Sequence, residues 1–227
     1  MTNIQQNIID INHKIRTYEV RYKRQPNSVA LLASSKKQSI DDIRQAILAG
    51  VTVFGENYLQ EALEKIVALA DENVEWHFIG SIQSNKTKKI AEHFSWVDSV
   101  NNITIAKRLN DQRPHHLPPL NICLEVNVSG EKSKSGTTLD EILPLAEFCL
   151  AQPRLKLRGL MAIPARKTTF AEQRTELHKL RTMYDMLCQG GYNLDILSMG
   201  MSDDLEAAIA EGATVVRIGT AIFGHRI

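Results

Sequence analysis

The sequence is poor in cysteine, in net charge and in long apolar runs. Its 227 residues include three cysteines, Cys123, Cys149 and Cys188. They lie far apart in apolar surroundings with no metal-ligand spacing, which argues against a disulfide framework or a metal site and for buried reduced thiols. Lysines and arginines number 27 against 26 acids, a formal net charge of +1. No global field therefore favours nucleic acid or an anionic membrane. No apolar run is long enough to span a bilayer. Residues 1–10 lack the basic start and apolar core of a signal peptide. There is no G-x-G-x-x-G after the first strand-like segment, and no low-complexity linker or composition break divides the chain. These absences lead to the expectation of a cytoplasmic protein with one domain over residues 1–227.

What is present is a regular alternation. Residues 3–24 carry Ile4, Ile8, Ile11, Ile15, Tyr18 and Tyr22 in steps of three and four, which is helical spacing, and Pro26 and Asn27 end the run. Strand-like segments follow at 29–36, 51–55, 74–80, 96–100, 120–128, 155–163, 194–198 and 213–219. Helical segments at 41–50, 56–71, 85–94, 103–110, 138–151, 168–190 and 203–211 separate them, so every strand but the last is followed by a helix. Eight such units predict an α/β fold, a closed (β/α)8 TIM-type barrel with an extra N-terminal helix.

A barrel gathers the carboxyl ends of its strands on one rim, where its chemistry is placed. The first strand, Val29-Ala-Leu-Leu-Ala-Ser-Ser-Lys36, is apolar on both faces and ends in a lysine. Such an amine is either an ordinary snorkelling side chain or a nucleophile for a carbonyl. The last two strands end in Ser198-Met-Gly-Met-Ser202 and Arg217-Ile-Gly-Thr220. Loops after strands seven and eight commonly bind phosphate in barrels. Glycine lets the backbone come close there, and the hydroxyls donate to phosphate oxygens. Ser202 is expected to cap the helix that begins at Asp203. Two ordinary turns would also be rich in glycine and serine, but their pairing at these two strands favours a site. Lys36, Ser198, Gly200, Ser202, Arg217, Gly219 and Thr220 together suit a phosphorylated carbonyl compound. They suggest pyridoxal 5′-phosphate (PLP), with a sugar-phosphate Schiff-base lyase as the alternative.

Several longer stretches carry a family resemblance. They are Ala33-Ser-Ser-Lys36, Phe54-Gly-Glu-Asn-Tyr-Leu-Gln-Glu61, Trp76-His-Phe-Ile-Gly-Ser-Ile-Gln-Ser-Asn-Lys86, Ser198-Met-Gly-Met-Ser-Asp-Asp204 and Val216-Arg-Ile-Gly-Thr-Ala-Ile-Phe-Gly224. Asn127-Val-Ser-Gly-Glu-Lys-Ser-Lys-Ser-Gly136 and Arg158-Gly-Leu-Met161 fit as well. In order and over nearly the whole chain, they resemble the PLP homeostasis (YggS-like) family. The resemblance implies a barrel like the alanine racemase N-terminal domain. It implies that Lys36 holds PLP covalently as an internal aldimine and that Ser198, Gly219 and Thr220 bind phosphate, with Gly200 and Ser202 close by. Arg217 matches the arginine facing the pyridine nitrogen, Asn57 a residue near the ring, and His77 and Met161 the pocket lining.

An arginine at the ring nitrogen disfavours its protonation and weakens the cofactor as an electron sink. The second base of the racemases this barrel resembles comes from a tyrosine on another domain, for which the chain leaves no room. None of Tyr18, Tyr22, Tyr58, Tyr184 and Tyr192 stands in a second-base context. The expectation is a PLP-binding, essentially non-catalytic monomer that buffers vitamin B6, with PLP-dependent apoenzymes as recipients. A weak amino-acid racemase is the other alternative. Lys86-Thr-Lys-Lys89 reads as a solvated helix face rather than a nucleic-acid contact. His115 and His116 lack further metal ligands. Lys134 reads as a surface lysine rather than a second PLP site, and Asp203 and Asp204 as helix N-terminal charges rather than an acid/base pair.

Overall fold

The computed structural model describes residues 3–131, 135–138 and 140–224. The chain opens with α1 (Ile4–Arg21), β1 (Ala30–Ser34), α2 (Ile40–Leu48), β2 (Val53–Glu56) and α3 (Leu59–Ala68). It continues through β3 (Glu75–Phe78), α4 (Thr87–His93), β4 (Trp96–Val100), α5 (Ile103–Gln112), β5 (Leu120–Glu125) and α6 (Ile142–Leu150). It closes with β6 (Leu155–Met161), α7 (Phe170–Gln189), β7 (Ile196–Ser198), α8 (Leu205–Ala210), β8 (Val215–Ile218) and α9 (Thr220–Phe223). All eight strands are parallel, and β8 pairs back onto β1, so the sheet is a closed barrel. The predicted architecture is observed, with one difference. A short helix, α9, follows the last strand.

Two cores follow from the alternation along each strand. The larger lies between strands and helices and contains Ala33, Phe54, Trp76, Phe78 and Val97. The other fills the barrel: Leu32, Ile79 and Val215 form one layer, and Trp96, Cys123 and Met161 another. Register partners in a parallel sheet share a face. Leu32 opposite Arg217, Gly55 opposite His77, and Met161 opposite Ser198 therefore all belong to the interior.

Helix α1 covers what α9 is too short to cover. It buries Ile4, Ile8, Ile11 and Ile15 against α2, α8 and α9. Glu19, itself buried, accepts the Val29 N–H at 2.8 Å, and Arg16 donates to the Val29 carbonyl at 2.7 Å. Arg24, just beyond the helix, donates to the Ile209 and Ala213 carbonyls at 3.0 Å each. The lead-in to β1 is thus tied to α1 by polar bonds as well as by packing.

Candidate functional site

At the carboxyl rim a cavity of about 710 Å³ opens to solvent. It is lined by Lys36, Asn57, Ser202, Arg217, Gly219 and Thr220, with Ser34, Ile79, Ile163, Arg166, Met201, Asp203 and Ala221 completing the wall. Lys36 lies two residues beyond β1 and is half-buried, its Nζ 5.8 Å from the centre of the Tyr58 ring. Tyr58 is the N-cap residue of α3 and half exposed. Asn57 is brought to the rim by a close backbone approach. A Cβ on Gly80 would lie 2.2 Å from the Asn57 carbonyl oxygen, and Ser99 Oγ donates to the Gly80 carbonyl at 2.6 Å. Only glycine fits there.

Four sequence-predicted residues lie off the cavity wall. Ser198 is buried beneath it and accepts from Arg217 Nη1 at 2.7 Å. Gly200, at φ +96°, offers its carbonyl to the Arg217 N–H at 2.9 Å. Both therefore hold Arg217 rather than border the cavity. Met161 and His77 correct the expectation that they line the pocket. Met161 is fully buried in the barrel's interior layer with Trp96 and Cys123. His77 is also buried, stacked on Trp96 with ring centroids 4.9 Å apart. Its Nδ1 lies 3.0 Å from Asp98 Oδ1 and its Nε2 3.4 Å from Glu75 Oε1. Ser202 is also not the cap of α8. Asp204 is the N-cap residue and accepts the Met201 N–H at 2.6 Å, while Ser202 Oγ accepts the Ala221 N–H at 3.3 Å and so links the two loops. Asp203 pairs with Arg166 at 2.8 Å. Lys134 and residues 225–227 lie outside the described residues.

Arg217 and the barrel interior beyond the cavity wall are electrostatically tuned. Arg217 is 4% exposed, and a second donor, Nη2, reaches the Ala162 carbonyl at 2.8 Å. Burial lowers its pKa, and Asp98, Asp204 and Glu125 oppose that shift. Burial pushes the Glu125 carboxyl up to about 7 against the pull of Arg217. Burial also opposes charge on His77, but Asp98 and Glu75 outweigh it and raise the ring to about 9. The interior thus holds an imidazolium–carboxylate pair below a guanidinium that faces the cavity.

Residues 10–227 match the family described as alanine racemase, N-terminal domain. A Pseudomonas aeruginosa protein named pyridoxal phosphate homeostasis protein is 54% identical over 226 residues, spanning 100% of this chain and 97% of its own. The chain belongs to the pyridoxal phosphate homeostasis protein family. PipY of Synechococcus elongatus, solved with PLP bound, shares 33% identity at a TM-score of 0.86, over 97% of this chain and 100% of that one. An alanine racemase of Clostridium difficile shares the fold at a TM-score of 0.75 and 12% identity, and the match covers 57% of the racemase chain.

In this family member, sequence reasoning missed part of the wall. Ile163, Arg166 and Met201 left a weak signal, since all lie just past the ends of β6 and β7 on the rim where barrels place their chemistry. Asp98 and Glu125, which lie off the wall, left a stronger one. Each is the single charged residue of its strand, Trp96-Val-Asp-Ser-Val100 and Leu120-Asn-Ile-Cys-Leu-Glu125. Of the other features weighed in the sequence, Lys88 and Lys89 pair with Glu92 on the surface, His115 and His116 are exposed, and no metal-ligand cluster occurs among the described residues.

Proposed function

We propose that this chain binds PLP at the barrel mouth, holds it covalently through Lys36, and serves intracellular vitamin B6 homeostasis without significant turnover. The observation that carries this reading is the donor set of a single cavity. A primary amine at Lys36, hydroxyls at Ser202 and Thr220, the amide of Asn57 and the buried guanidinium of Arg217 share one wall with apolar Ile79 and Met201. A phosphorylated aromatic aldehyde fits that set. The amine suits its carbonyl, the hydroxyls and the Gly219–Thr220 turn suit its phosphate, and the apolar residues suit its ring. The name of the P. aeruginosa relative and the PLP bound to PipY support the same reading.

When bound, the cofactor supplies an aldehyde and an electron-withdrawing pyridine ring. Arg217, which the family resemblance assigns to the ring nitrogen, is held by Ser198, Gly200 and Ala162. Its fixed positive charge disfavours a second positive charge beside it, which limits electron withdrawal. Racemisation also needs proton-transfer groups on both faces of the substrate carbon. Lys36 can be one. Among the described residues, the cavity wall contains no histidine, tyrosine, cysteine or glutamate, and its carboxylate, Asp203, is paired with Arg166. Tyr58 lies beside Lys36 but does not border the cavity. These features support retention and release of the cofactor rather than turnover. A monomeric, cytoplasmic chain that passes PLP to apoenzymes belongs to the same proposal.

Titration of the purified chain with PLP should give saturable uptake that Lys36→Ala abolishes. The loaded protein should leave alanine and serine unracemised. Racemisation at rates comparable to dedicated racemases, lost in Lys36→Ala, would overturn the non-catalytic reading.

A further inference from the structure

A buried ionic cluster lies directly behind Lys36, and neither cofactor binding nor the barrel core accounts for it. Lys65 of α3 is 4% exposed. Its ammonium group has three N–H donors, and each finds an acceptor. These are the Ser35 carbonyl at 2.7 Å, Glu56 Oε1 at 2.7 Å and Glu61 Oε1 at 2.6 Å. Burying an ammonium is costly unless it is paired and saturated, and here it is both. Glu61 precedes Lys65 by four residues on the helix, the favourable order for such a pair. Glu56, at the end of β2, is fully buried, and burial raises its pKa while Lys65 and Ser35 pull it back down.

The same two carboxylates also grip the chain neighbours of Lys36. Ser35 Oγ donates to Glu56 Oε1 at 2.6 Å, and the Lys37 N–H donates to Glu61 Oε1 at 2.5 Å. Lys37 has φ +62°, a left-handed conformation uncommon for a residue other than glycine. The residue before Lys36 is therefore held by its hydroxyl and its carbonyl, and the residue after it by its N–H. All three bonds converge on one ammonium group and its two partners.

We infer that Lys65, through Glu56 and Glu61, is a positioning residue for Lys36. It fixes the backbone on both sides of Lys36, so that the amine enters the cavity in one direction. This deepens the reading of Lys36 as the cofactor-bearing lysine and rests on it.

The test compares Glu61→Ala, Glu61→Gln and Lys65→Met in the full chain. Glu61 is partly exposed, so its variants remain folded even if Lys65→Met does not. The cofactor-free protein is acylated with a trace amine reagent across a pH range. Labelling of Lys36 is then read by peptide mass spectrometry against exposed Lys88 in the same chain. Glu61→Ala should change the labelling rate of Lys36 relative to that of Lys88 severalfold across this range, and Glu61→Gln, which keeps an acceptor, should restore it. PLP should also leave Glu61→Ala about tenfold faster, the equivalent of one charge-assisted hydrogen bond. A merely structural role would shift melting temperature and leave the labelling profile unchanged. An unchanged Lys36 profile in folded Glu61→Ala overturns the inference. If the profile shifts but the unmodified chain takes up no PLP, the positioning role stands and the cofactor reading falls.

Discussion

Glu125 stands inside the barrel with its Oε2 buried and, among the described residues, without a hydrogen-bond partner. Its pKa is about 7 in the fold against 4.5 for an unperturbed glutamate. The folded state therefore binds this proton more tightly than the unfolded chain does. The contribution to stability is highest below pH 4.5, falls as pH rises from there through about 7, and then levels off, a loss on the order of 3 kcal/mol. Glu125→Gln should flatten this part of the pH–stability curve, as measured by urea unfolding between about pH 5 and pH 8. Parallel curves for the two proteins would contradict the assignment. His77, raised from 6.5 to about 9, contributes stability that is complete below pH 6.5 and is lost as pH rises through 9, so decline beyond neutrality belongs to it. At this scale Lys36 and Arg217 are legible in the sequence because a charge at the end of an apolar strand stands out against its neighbours and falls on the rim of a barrel. The depth of His77 is not. Alternation tells which face a strand residue occupies, not how far below the rim it sits. Nor is the burial of Lys65, because apolar spacing does not show where a helix lysine finds its partners.

Among the elements, the loop from β7 to α8 shows how little freedom the rim allows. Gly200 has φ +96°, and a Cβ there would lie 2.3 Å from the Ala208 Cβ on α8. Gly200→Ala should therefore cost about 3 kcal/mol, from backbone strain and displacement of α8 together. It should also weaken PLP uptake, because the Gly200 carbonyl holds the Arg217 backbone. Thermal unfolding and PLP titration check the two effects, and an unchanged melting temperature would contradict the packing argument. Helix α1 invites a parallel test. Ile15 is fully buried, so Ile15→Ala should destabilise by about 3 kcal/mol in denaturant unfolding while leaving PLP affinity intact, since α1 contributes nothing to the cavity wall. The alternation of strands and helices is legible from apolar spacing alone. The four-residue α9 is not, because one turn leaves no periodic pattern to detect. The cap of α8 escapes the sequence for a related reason. Ser202 and Asp204 are both good caps in sequence, and only the Ser202 contact with Ala221 shows that the serine joins the two rim loops instead.

The whole molecule is a closed barrel whose rim gathers residues at the ends of β1, β2, β3, β6, β7 and β8 into one cavity. Closure follows from the count of βα units and is therefore predictable. The convergence of Lys36, Ser202, Arg217 and Thr220 follows from closure, since β8 lies beside β1. That this cavity binds PLP through Lys36 is tested most directly by the absorbance spectrum of the purified, PLP-treated chain, followed by borohydride reduction and peptide mass mapping. The expected result is a yellow chromophore that reduction bleaches, with the pyridoxyl mass on the peptide containing Lys36. A colourless protein that takes up no PLP, or a pyridoxyl group on another lysine with Lys36 unmodified, would contradict it.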